Sequence, residues 1–191
     1  MIINLWLIIG TMAGIEGKNF WNGRDYSINP IGNTSSVSKD EYKVALKKAE
    51  LYNNSEAANT DTEILKARLK DCWGVTEENT NIKIDSKASP KVGISEDNLY
   101  VGKYNGKFYK MGGYTIGNEL HGSPYVVSAD EVVFDAIIGH EYMHIQQYNN
   151  FGQTGIDEVS AYQYSYNTYK VAGYSQQMLR IQEIMMFLNI W

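Results

Sequence analysis

The sequence predicts one α+β domain, with helices at both ends and a small antiparallel sheet between them. Three observations predict it. Apolar residues recur at helical spacing behind Ser and Thr caps early in the chain. The middle breaks into short runs separated by Asn-Gly and other glycines, as hairpins do. Helical spacing then returns and holds to the C-terminal end. Helices, then strands, then helices is an α+β order, not a βαβ alternation.

Each element follows from its own signals. Residues 1–36 open with the apolar run MIINLWLII and continue rich in Gly, Asn and Ser without a period, so they are expected to be a leader or linker. The domain is expected over 37–191. Ser38 and Glu41 form a capping box, and Tyr42, Ala45, Leu46, Ala49 and Tyr52 follow at helical spacing, which predicts a helix over 39–53. Thr60 and Glu63 repeat the box before Leu65, Leu69 and Cys72, predicting a helix over 61–72 that Gly74 ends. Ile82 and Ile84 alternate with polar residues. Runs 99–104 and 107–111 flank Asn105-Gly106, a pair suited to a tight hairpin turn. Residues 114–117 and 124–127 are expected as further strands.

Ser128 and Glu131 make a third box, followed by the apolar face of Val132, Val133, Ile137, Ile138 and Ile145. Gly152 is the expected stop. Thr154 is expected to open another helix with Asp157 in its first turn, where the helix dipole favours negative charge. Met178, Ile181, Met185 and Leu188 predict a last helix near 175–190, with its methionines in the core.

Composition narrows the function classes. The chain has 191 residues, 43% of them apolar, enough for a sizeable core without staples. Its 17 basic and 22 acidic residues give a net charge of −5, which disfavours a non-specific nucleic-acid binder. With one cysteine, Cys72, neither an intrachain disulfide nor a four-cysteine zinc site can form. Cys72 lacks a cysteine-peptidase pattern and is expected to be a small buried group. The N-terminal run lacks a preceding Lys or Arg and is far shorter than the roughly 20 residues of a membrane span. It reads as a buried apolar segment, an uncharged export signal or the tail of a longer hydrophobic region.

The chemistry sits in His140-Glu141-Tyr142-Met143-His144, an H-E-x-x-H motif. Histidines four apart lie on one helix face, one turn from each other, and can converge on one zinc ion. Glu141 can reach a water on that metal and act as general base. A catalytic zinc ordinarily has three protein ligands. A metzincin would carry Gly and His where Gln147 and Asn150 stand, so that pattern fails. Glu158 is the expected third ligand, facing His144 across a helical hairpin with small Ser160 and Ala161 at the crossing. Asp157 is its rival, as ligand or as an orienting group. His121 is a more distant one, expected in a surface loop. Tyr162, one turn from Glu158, is either an oxyanion donor or a packing group.

HEYMHIQQY followed by DEVSAYQY resembles the gluzincin class of zinc metallopeptidases, and in particular short bacterial zincin domains with H-E-x-x-H-x-x-Q and E-x-x-A. The resemblance implies a zincin-like fold, Zn2+ as cofactor, His140, His144 and Glu158 as its ligands, Glu141 as the catalytic base, and a peptide or protein substrate. It also implies a strand along the active-site helix, supplied by 125–128 or 114–117, on which extended substrate lies. A second segment, Gly17-Lys18-Asn19-Phe20-Trp21-Asn22-Gly23, is similar to the region before the variable toxin in Rhs-type polymorphic toxins. That resemblance implies a secreted or delivered effector neutralised by an immunity protein. A zinc-binding module without catalysis is the third reading, though such a module has no need of Glu141.

Overall fold

The structure, a computed structural model, describes residues 37–104, 106–151 and 157–187. It is α+β. Helices α1 (Lys39–Asn53), α2 (Glu56–Trp73) and the short α3 (Glu77–Thr80) come first. Six strands follow: β1 (Lys83–Asp85), β2 (Gly93–Ile94), β3 (Tyr100–Tyr104), β4 (Lys107–Met111), β5 (Gly113–Ile116) and β6 (Glu119–Gly122). A single turn, α4 (Pro124–Val127), leads to α5 (Glu131–Phe151), α6 (Glu158–Ala172) and α7 (Ser175–Phe187). The leader expected over 1–36, the toxin-like segment within it, Asn105, the stop at Gly152, the start at Thr154 and Leu188 lie outside the described residues.

Local chemistry sets the helix ends. Ser38 Oγ accepts from the Glu41 N–H at 3.2 Å while the Glu41 carboxylate accepts from the Ser38 N–H at 2.8 Å, the expected box. α2 starts earlier than its second box predicts, because Ser55 caps it. Thr60 then lies inside the helix, and its hydroxyl donates back to the Glu56 carbonyl. Gly74 closes α2 in the left-handed conformation, as expected. Cys72 is exposed, contrary to expectation, because the buried face of α2 carries Ala58, Leu65 and Leu69 and has turned away by residue 72.

Two three-stranded sheets replace the single antiparallel one expected. β3 and β4 form the expected hairpin, and β2 joins β3. The other sheet has the order β1-β6-β5, with β5 antiparallel to β6 and β1 parallel to it. Residues 124–127 are helical, not extended. Ser123 caps that turn and Pro124 opens it, where its missing N–H costs nothing. Ser128 accordingly ends α4, donating to the Pro124 carbonyl, and does not cap α5. Asp130 does that, its carboxylate accepting from the Val133 N–H at 2.9 Å.

The main core lies between α2, one face of the β1-β6-β5 sheet, and α5 to α7. Leu65, Leu69, Ile84, Leu120, Phe134, Ile137, Ile138, Ile145, Ile181 and Met185 are buried there. The final helix is core, as its methionines predict, although Leu179 and Met186 face out. A second cluster of Ala49, Val92, Ile94, Tyr100, Met111 and Tyr114 fills the space on the sheet's other side. Alternation along β5 and β6 separates the two clusters. Among the described residues no helix is long and apolar enough to cross a membrane.

Candidate metal centre

α5 presents His140 and His144 on one face because they are one turn apart. Two close approaches seat that helix. Gly113 and Gly122, directly paired across β5 and β6, both face α5. A Cβ on Gly113 would come within 3.0 Å of Glu141 Cγ, and one on Gly122 within 3.2 Å of Ile138 Cδ1. Glu141 is thereby fully buried between helix and sheet. On the other side α6 crosses α5 at Gly139. A Cβ there would stand 2.2 Å from Cε1 of Tyr164, whose hydroxyl donates to Asp135 at 2.6 Å.

This crossing brings Glu158, the first residue of α6, onto the histidine pair. Glu158 Oε2 lies 3.5 Å from His140 Nε2 and 3.4 Å from His144 Nε2, and the two Nε2 atoms are 3.1 Å apart. Both imidazoles are buried, and the Glu158 side chain is 12% exposed. The three groups could hold a metal ion, and among the described residues they are the group of three that meets that description.

The outer ring nitrogens fix which atoms point inward. Gln147 Oε1 accepts from the Asp157 backbone N–H at 2.9 Å, and a backbone N–H can only donate, so this atom is the carboxamide oxygen. His144 Nδ1, 3.1 Å from that oxygen, must then carry the proton. His140 Nδ1, the outer nitrogen of that ring, lies 3.4 Å from Ser165 Oγ, and the imidazole also interacts with the Ala161 backbone. Ser165 uses its own proton on the Ala136 carbonyl at 2.7 Å. In the neutral rings both Nε2 atoms therefore turn lone pairs toward each other and toward a carboxylate oxygen. Three electron-pair donors converge at 3.1–3.5 Å, an arrangement that is repulsive until a cation lies among them.

Without a metal ion, a proton relieves that repulsion. Burial pulls the His144 pKa down, but the Glu158 and Glu141 carboxylates outweigh it and hold the group at about 9. Burial would raise Glu158, but the charge on His144 and the closeness of both imidazoles hold it at about 2. Burial keeps His140 below its ordinary range. Without a metal the centre takes its proton on His144.

The rival ligands are not brought to the centre. The Asp157 carboxylate caps α6, accepting from the Val159 and Ser160 N–H groups and from the Ser160 hydroxyl. His121 is no surface-loop residue. It is buried on β6, stacked on Tyr114 at 4.5 Å, with Nδ1 donating to the Lys87 carbonyl at 2.9 Å. Alternation puts it on the sheet face away from α5. Tyr162 is buried with its ring edge-on to His140 at 4.7 Å, so it walls the imidazole. The sequence reading named Gln147, the last residue of the H-E-x-x-H-x-x-Q pattern, without this supporting role, and missed Ser165. Gln147 lies three residues past His144 and Ser165 two turns past Glu158, so helical spacing alone could have found both.

No protein-family model, curated protein or solved structure matches the chain.

Proposed function

We propose that the protein is a zinc-dependent peptidase with a zincin-like centre. The observation that carries the reading is the convergence of two oriented Nε2 lone pairs and one carboxylate oxygen beside a buried Glu141. A tetrahedral zinc with bonds of roughly 2.0–2.1 Å separates its ligand atoms by about 3.3–3.4 Å. The three separations, 3.1, 3.4 and 3.5 Å, fit that figure. Two neutral nitrogens and one carboxylate also make the donor set of catalytic zinc sites, which keep a fourth position open.

When bound, zinc would supply Lewis acidity, polarising a scissile carbonyl and easing loss of a proton from water near neutral pH. The remaining work falls to the chain. His140, His144 and Glu158 hold the ion, and Ser165, Ala161 and Gln147 keep the two imidazoles turned toward it. Glu141 takes a proton from the attacking water on its carboxylate and returns it to the departing amine. Substrate extends along β5, which occupies the edge of its sheet and runs beside α5 from Gly113, at Glu141, toward the turn at Gly117, next to Tyr148. Of the two segments expected to supply such a strand, 114–116 lies in β5, with Gly117 in the turn after it, and 125–127 is helical. A non-catalytic binding module has no use for a carboxylate buried where Glu141 is.

Metal content by elemental analysis, together with a screen of peptide substrates, tests the reading. About one zinc per chain, with turnover lost in Glu141→Gln while the zinc is kept, is the expected result. A folded wild type that takes up no zinc overturns it.

A further inference from the structure

Gln147 does more than meet one ring nitrogen. Its Oε1 accepts from two donors, His144 Nδ1 at 3.1 Å and the Asp157 N–H at 2.9 Å. Its Nε2 donates to the Asp157 carbonyl at 3.0 Å. The carboxamide thus pairs with both backbone groups of Asp157, as a neighbouring strand would. Asp157 caps α6, and the next residue is Glu158. Gln147 is itself buried, 7% exposed, so these partners are not readily replaced by water.

We infer that Gln147 is a positioning residue for the metal centre, joining a ligand on α5 to a ligand on α6 through one side chain. It sets the His144 tautomer and, through the Asp157 backbone, the place from which Glu158 reaches the two histidines. The inference rests on the metal-centre reading above. Its physical content is a coupling. Chain geometry at the start of α6 and ring geometry on α5 depend on the same carboxamide oxygen, so neither ligand is set independently.

Length and chemistry single out glutamine. A methionine would fill the same volume without an acceptor, leaving the His144 N–H and the Asp157 N–H both buried and unmatched. A glutamate would keep the acceptor for both N–H donors but would turn an acceptor oxygen, in place of the donor, toward the Asp157 carbonyl, at a cost in stability and not in the ring orientation. An asparagine is one methylene shorter and cannot meet both elements from the same backbone position.

The test measures zinc affinity by competition with a chelating dye for the wild type, Gln147→Met and Gln147→Glu, with the melting temperature of each metal-free protein. Gln147→Met is expected to lose about 10- to 100-fold in affinity, the usual range for groups that orient a metal ligand. Gln147→Glu is expected to recover most of that loss. In the zinc-loaded wild type the His144 Nδ1–H proton should exchange slowly by 15N-resolved NMR, and in Gln147→Met fast. A role in packing alone would lower the melting temperature of both variants and leave their affinities at the wild-type level, which overturns the inference. A wild type that binds no zinc overturns the metal-centre reading instead. Should Gln147→Met fail to fold, the wild-type spectrum decides, because a His144 ring proton that exchanges as fast as free imidazole contradicts the contact.

Discussion

Gly139 and Tyr164 meet where α5 and α6 cross, and a single added carbon on the glycine would stand 2.2 Å from the tyrosine ring. The residue after Gly139 is the first histidine of the candidate metal centre. The crossing that admits Glu158 to the histidine pair therefore depends on the absence of a side chain one position before His140.

Gly139→Ala should cost about 1–3 kcal/mol through overpacking, and more if α6 is forced off. That corresponds to roughly 2–4 °C of melting temperature per kcal/mol for a chain of this size. Metal affinity should fall with it, since the displaced helix carries Glu158. Unaltered melting and affinity would show that the tyrosine ring swings aside freely.

Adjacent acids should behave in opposite ways. Glu158→Ala should abolish tight metal binding, because two histidines remain. Asp157→Ala should keep the metal and lose about 1 kcal/mol of stability, the usual value of an N-cap. Elemental analysis and thermal melts of the two variants check this, and retention of metal by Glu158→Ala would move the third ligand elsewhere.

The pH dependence of stability should reverse on metal binding. In the metal-free protein His144 titrates at about 9, above its ordinary 6.5, so its contribution is complete below 6.5 and drains away as pH rises toward 9. Glu158 titrates at about 2, below its ordinary 4.5, so its contribution is present above 4.5 and is lost as pH falls toward 2. The pair thus favours the metal-free fold most between 4.5 and 6.5. Metal needs the His144 proton gone, so affinity should rise up to about tenfold per pH unit below 9. Melting curves at pH 6 and pH 8.5, with and without zinc, should move in opposite directions.

Arg68 should prove a structural anchor that lysine cannot replace. Its guanidinium donates to the carbonyls of Val127 at 2.9 Å, Ala129 at 2.8 Å and Asp130 at 3.3 Å, and lies 3.8 Å over the Phe134 ring. These contacts hold the end of α4 against the start of α5. Arg68→Ala should cost about 2–3 kcal/mol by leaving several carbonyls unmatched, and Arg68→Lys should restore little, having no planar fork. Denaturant melts of the two variants measure both figures.

The meeting of Glu158 with the two histidines of the motif was legible because the spacing of the three residues is local. His140 and His144 share a turn, and Glu158 follows within one hairpin. α1 was legible to the residue through its capping box. The parallel β1–β6 pair was not, since it joins residues 36 apart with no local signature. His121 was misplaced because its burial is decided by strand alternation against Tyr114, and a four-residue strand shows too little alternation to read. Residues 124–127 carry β-branched valines that favour a strand, yet the Ser123 cap and Pro124 turn them into a helix. Ser128 likewise has a capping pattern that Asp130 pre-empts. In both cases neighbouring cap chemistry outweighs propensity.

All three groups of the candidate metal centre lie within one stretch of chain, from His140 to Glu158. An ion held by them would be a removable cross-link closing a loop of about 15 residues, comparable in length to one that a disulfide stabilises by about 3 kcal/mol through lost chain entropy. The cross-link spans only α5 and α6, so its withdrawal would loosen the last third of the chain and spare the β2-β3-β4 sheet. A chelator would then act as a local denaturant, and the amides of α5 and α6 would exchange with solvent before those of the β2-β3-β4 sheet.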